Sequence, residues 1–190
     1  MKYLKKFKTN SEYQTYINDR TALKPNVSYV TDDGEVFYNK LSRDYSTEYL
    51  TFEAVTSGTV TFMASSQSVE GKTISYSTDG GNTWTDLTTS MNAQTLATLS
   101  VGDKLLVKGE NTVYASSVGT YNAFGGTAQV NVYGNIMSLI YGDNFMGQTT
   151  LDAAGFNLDG LFSNNSNLLS AENLVLHATT LTYGCYSGMF

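Results

Sequence analysis

Three pairs of aspartates are the first residues in this chain that could do chemistry: Asp32 with Asp33, Asp79 with Asp86, and Asp152 with Asp159. Two carboxylates in one site can act as acid and base in glycoside hydrolysis, or as hard oxygen ligands for Ca²⁺. Most of these aspartates lie in glycine- or asparagine-rich stretches, where the side chain serves to bond the local backbone. "GDN" at 142–144 and "DGG" at 79–81 lack the ligand spacing of an EF-hand loop. Turn chemistry is therefore expected of them, with no catalytic pair assigned. One histidine (His177) and one cysteine (Cys185) exclude an internal disulfide and a Cys/His metal site. Neither sits in a nucleophile motif, and Cys185 reads as a small buried hydrophobe. "FGG" at 124–126 follows no phosphate-loop pattern. No catalytic residue, metal or cofactor is expected.

"STDGGNTW" at 77–84 is the stretch with the most specific spacing. It resembles the Asp box, Ser-x-Asp-x-Gly-x-Thr-Trp, of sialidases and related β-propellers. The resemblance implies a structural turn: Asp79 accepts backbone N–H groups, Gly80 and Gly81 permit positive φ, and Trp84 packs over the loop. A sialidase would also need three arginines to grip a carboxylate. The chain has two, Arg20 and Arg43, both outside the β region, and one box in 190 residues cannot build a propeller. Tyrosines are abundant, and Tyr114, Tyr121, Tyr133 and Tyr183 are candidates for a binding surface that stacks on glycan or protein.

The bulk composition narrows the classes further. Only 15% of residues are charged, the net charge is -6, and no sustained basic patch occurs. A nucleic-acid partner is not expected. "KYLKKFK" at 2–8 reads as a solvated arm. No apolar leader follows it, and no run approaches the length of a membrane span, so neither a secretory signal nor membrane insertion is expected. Glycine, tyrosine and polar β-formers dominate, a flavour common in fibres and adhesins.

Three regions must position these residues. Residues 1–45 read as a small module that docks or oligomerises: a helix in "TNSEYQTYINDRTAL", ended by Pro25, then a hairpin turning at Asp33-Gly34. Residues 46–118 show period-2 patterning at 49–55, 58–64, 72–78, 83–88, 95–100, 103–109 and 112–118. Seven short strands with glycine or aspartate turns predict an antiparallel β-sandwich, Ig-like or jelly-roll-like. Leu50, Phe52, Ala54, Val60, Phe62, Ile74 and Tyr76 should face inward. Residues 119–190 lose charge and then period 2. Leu161-Phe162 recurs as Met189-Phe190, 28 residues later, which suggests a solenoid. The fold class is thus mostly β, with a C-terminal cap and a first repeat.

Two further resemblances bear on function. "NLLSAENLVLHATTLTYGCYSGMF" resembles BspA-type leucine-rich repeats at Leu168, Ala171, Leu174, Leu176, Ala178 to Leu181, Cys185, Tyr186, Met189 and Phe190, with His177 where proline is usual. Phe7, Thr9, Glu12, Tyr13 and the stretch from Pro25 to Asn39 resemble the start of virion proteins of crAss-like gut phages. Together these imply a non-enzymatic structural or adhesive virion component, of head-fibre or tail-fibre type. Its partners would be other virion proteins or like subunits, commonly as trimers, and a bacterial surface glycan or protein. The alternative is a BspA-like adhesin on a bacterial cell surface.

Overall fold

The computed structural model describes residues 4–7, 28–31, 36–38, 43–152 and 155–190. The chain forms two compact units, divided between Asp44 and Tyr45. In the first, strand β1 (Leu4–Phe7) pairs in parallel with β2 (Ser28–Thr31), which pairs antiparallel with β3 (Val36–Tyr38). The basic stretch read as a solvated arm therefore contains a paired strand. The helix expected over "TNSEYQTYINDRTAL" lies outside the described residues.

The second unit is a two-sheet structure around one core. Its strands are β4 (Leu50–Ala54), β5 (Gly58–Ala64), β6 (Thr73–Ser77), β7 (Thr85–Thr88), β8 (Gln94–Leu99) and β9 (Lys104–Gly109). Then come β10 (Ala115–Ser117), β11 (Thr120–Gly126), β12 (Val130–Asn135) and β13 (Leu168–Val175). One sheet runs β10-β11-β5-β8 and the other β13-β12-β4-β9-β6-β7. Leu50, Phe52, Ala54, Val60, Phe62 and Ile74 are buried, as the alternation required, and Tyr76 packs against the core. Phe124 joins the layers: its ring centroid lies 4.9 Å from that of Phe52 and 4.3 Å from that of Phe62.

The sandwich does not stop at residue 118. β11 is the inner partner of β5, and β12 lies beside β4, so both sheets need strands from the region assigned to the cap. No compact boundary divides residues 45–190. Among the described residues no helix is long and apolar enough to cross a membrane.

Beyond β12 the chain winds into two stacked coils, residues 130–167 and 168–190. One side of the stack is the parallel ladder of β12 with β13. A second contact is the bridge from Thr150 to Thr180, where Thr179 N–H and Thr180 N–H both donate to the Thr149 carbonyl. On the third side the N–H groups of Phe156, Leu158, Gly160 and Phe162 donate to the carbonyls of Tyr183, Cys185, Ser187 and Met189, at 2.7 to 3.0 Å. In a parallel ladder an N–H bonds the carbonyl just before its partner residue, so Phe156 lies over Gly184 and Phe162 over Phe190. The 28-residue spacing of the sequence is thus the offset between stacked residues on this third side alone; it is 30 at the Thr150–Thr180 bridge and 38 to 40 along the β12–β13 ladder. The rings of Phe162 and Phe190 stack at 5.7 Å and 13°.

The first coil is anchored to the sandwich by a short helix α1 (Ser138–Tyr141). Buried Ser138 donates its hydroxyl to the Val107 carbonyl and accepts the Leu50 N–H, both at 3.0 Å. One side chain therefore ties α1 to β4 and β9 together.

Candidate functional site

The Asp-box turn connects β6 to β7, which pair antiparallel from Thr73 with Thr88 to Tyr76 with Thr85. Asp79 accepts the Thr83 N–H at 3.0 Å, the Thr83 hydroxyl at 2.7 Å and the Ser77 hydroxyl at 2.7 Å. Ser77 in turn accepts the N–H groups of Asp79 and Gly81. These donors hold the Asp79 carboxyl far below the usual carboxylate range, the Thr83 backbone N–H contributing most. Gly80 and Gly81 take φ of 77° and 91°, as the tight turn demands. The Trp84 indole N–H donates to the Gly81 carbonyl at 3.1 Å, closing the loop.

Trp84 also belongs to a cluster that sequence reasoning missed. The Lys108 ammonium lies 4.2 Å from the Trp84 ring centroid, and the Tyr49 ring meets Trp84 edge-on at 5.1 Å. Lys108 bonds both oxygens of Asp143, at 2.7 and 2.9 Å, and the Tyr49 hydroxyl donates to Asp143 at 2.8 Å. Lys108 is the main cause that holds the Asp143 carboxyl below its ordinary value. Burial, reinforced by Asp143, pushes the Tyr49 phenol up to about 12. Lys108 was recognisable as an outward strand position. Its partners come from residues 49, 84 and 143, too far apart in sequence for any local signal.

Beside this cluster opens a cleft of about 390 Å³ bearing Ser75, Asp86, Lys108, Glu110, Asn111 and Asp143. Its polar groups mostly serve one another. Ser75 donates to Asp86 at 2.6 Å, Asn111 donates to the Thr73 carbonyl and the Tyr114 hydroxyl, and Lys108 is taken by Asp143. A glycosidase acid needs a carboxyl pushed upward; Asp143 is pushed the opposite way. The pair Asp32/Asp33 lies outside the described residues; of the pair Asp79/Asp86, Asp79 is spent inside its turn and Asp86 accepts the Ser75 hydroxyl. Among the described residues no group of three or more His, Cys, Asp or Glu side chains gathers as a metal site. Cys185 is buried in the core cluster, and the His177 ring nitrogen Nδ1 lies 3.5 Å from the Asn135 amide. No family model, curated protein or solved structure matches the chain.

The four tyrosines proposed as a binding surface divide. Tyr114 is fully buried, with its hydroxyl donating to the Leu139 carbonyl at 2.8 Å; it braces α1 from within. Tyr133 is buried as well, because β12 is flanked by β4 and β13 and its ring meets Tyr45 at 5.4 Å. Tyr121 is half-buried against Gly160, with its hydroxyl on Ser163. Tyr183 is exposed, edge-on to Phe156. It belongs to a different patch, the outer face of the second coil, which also exposes Leu176, Leu181 and Phe190.

Proposed function

We propose that the protein is a non-enzymatic structural and adhesive component of a bacteriophage virion, of head-fibre or tail-fibre type. The N-terminal unit would dock it to other virion proteins or to like subunits. The second unit would present a binding surface to a bacterial glycan or protein. The observation that carries this reading is the continuity of one sheet from β7 to β13. A sandwich that extends without a break into a coil stack is a stiff mount for an exposed aromatic and apolar face. The polar, glycine- and tyrosine-rich composition and the N-terminal resemblance support the virion setting. The repeat-like sequence of the second coil supports an alternative, a BspA-like adhesin on a bacterial surface.

The mass and symmetry of the native assembly test the proposal. A closed oligomer of like subunits, a trimer in the commonest case, or co-sedimentation with virions is the expected result. A monomer with no virion partner in the same preparation would sink the fibre reading. Turnover of any member of a glycan panel, sialosides included, would overturn the non-enzymatic part.

A further inference from the structure

The two coils use the same positions differently. Leu151 and Leu181 follow equivalent Thr-Thr pairs, Phe162 and Phe190 stack, and Ile136 and Leu176 follow the ladder-paired residues Asn135 and Val175. The first member of each pair is 3%, 1% and 0% exposed; the second is 59%, 64% and 44% exposed. The backbone repeats the contrast. In the first coil Phe156, Leu158, Gly160 and Phe162 donate their N–H groups to the second coil. The equivalent N–H groups, those of Gly184, Tyr186, Gly188 and Phe190, find no backbone acceptor among the described residues. The same half of the stacking interface is thus built twice and filled once.

We propose that the open face of the second coil is a docking surface for a further polypeptide coil of the same pattern, running parallel in the same register. The partner must supply carbonyls at two-residue spacing to those four N–H groups, a strand to the free edge of β13, and apolar side chains over Leu176, Leu181 and Phe190. The contact between the first and second coils is the template, and the new interface continues it. Three separate stripes of contact fix the direction. A coil can engage all three only if it winds in the same sense. A second copy placed by a two-fold axis winds in the opposite sense and can match only one stripe. The inference holds for a fibre and for an adhesin alike.

A tandem protein tests it, made by repeating residues 163–190 directly after Phe190. Hydrogen exchange is read at the amides of Gly184, Tyr186, Gly188 and Phe190, with those of Phe156, Leu158, Gly160 and Phe162 as an internal reference for folding. The four outer amides should slow by about tenfold or more in the tandem, and stay fast when the appended segment is scrambled. Placing F190D within the tandem, at the original Phe190, should restore fast exchange while leaving the reference amides protected. Outer amides that exchange equally fast with and without the repeat would overturn the proposal. So would a two-fold dimer of the unextended protein in which these amides are already protected.

Discussion

The last sides of the first and second coils, residues 155–162 and 183–190, share one pattern under opposite conditions. "GFNLDGLF" at 155–162 and "YGCYSGMF" at 183–190 wind alike, bond each other through one ladder, and bring matching glycines into positive φ. The first is sealed between the sandwich and the second; the second is sealed on one side only. The difference teaches that residue type does not decide burial here. Leucine, phenylalanine and glycine recur at matched places, yet Ile136, Leu151 and Phe162 are buried under the second coil while Leu176, Leu181 and Phe190 are exposed.

The strongest way to break this comparison is to truncate the stacked rings one at a time. Phe162 touches Phe52, Phe124 and Phe190, at centroid distances of 6.1, 5.9 and 5.7 Å. Phe162→Ala should cost about 3–5 kcal/mol in denaturant unfolding, whereas Phe190→Ala should cost less than about 1 kcal/mol. Equal losses would mean that Phe190 is a core residue after all. The glycines come next. A Cβ on Gly160 would run into the Tyr121 ring, while one on Gly188 would meet nothing nearer than Asp159, at 3.9 Å. Both residues take positive φ, at 66° and 52°. Gly160→Ala should therefore lose about 2–3 kcal/mol and Gly188→Ala about 1 kcal/mol, by thermal or chemical unfolding.

A third contrast is electrostatic. Asp159 is buried and lies over its counterpart Ser187, and its Oδ2 has no hydrogen-bond partner among the described residues. Burial raises its carboxyl above the ordinary value. A raised carboxyl favours the folded state in acid, and that contribution is lost as pH climbs through the folded value. Asp159→Asn should therefore gain on the natural protein in denaturant unfolding as pH rises from about 4 to about 7. A gap that does not change with pH would show that Asp159 stays ionised when folded. The smallest effect belongs to Asp79, in the turn between β6 and β7. Its lowered carboxyl contributes stability above the ordinary carboxylate range, and the contribution disappears as pH falls below it. Asp79→Asn should give a small loss of the opposite pH sense, visible as faster amide exchange across β6 and β7 and unchanged exchange in the coils. A loss that reached the coils would mean that the turn is not a local device.

The sandwich was legible where a strand has one wet face. β5 alternates between buried and half-buried positions because one side of it meets the core, and its inward residues are the expected ones; β4, flanked by β9 and β12, also buries Thr51 on its other side. The rule failed at Tyr133 for a physical reason: "VNVYGN" alternates in type, yet lying between two strands and under Tyr45 it is buried almost throughout. Tyr114 failed differently. It sits in the turn before β10, where nothing local signals that its hydroxyl reaches the carbonyl of Leu139. The recurrence of Leu-Phe as Met-Phe was the one local trace of the coil stack. The rest of the repeat was obscured because the first coil is longer by ten residues between Asn135 and Thr150 than the second between Val175 and Thr180, and by two more between Leu151 and Asn157 than between Leu181 and Cys185. The Lys108–Asp143–Tyr49 cluster beside Trp84 was invisible for the same reason as Tyr114: its members meet only once three distant segments have folded.

The position of β4 has a consequence for how the chain is made. It is the first strand of the second unit, yet its neighbours in the sheet are β9 and β12. On the ribosome, then, both of its edges stay bare until Lys104–Gly109 and Val130–Asn135 have emerged. Such distant pairing places folding in the range of about milliseconds to seconds. During synthesis Leu50 and Phe52 therefore wait without strand neighbours until those two segments arrive.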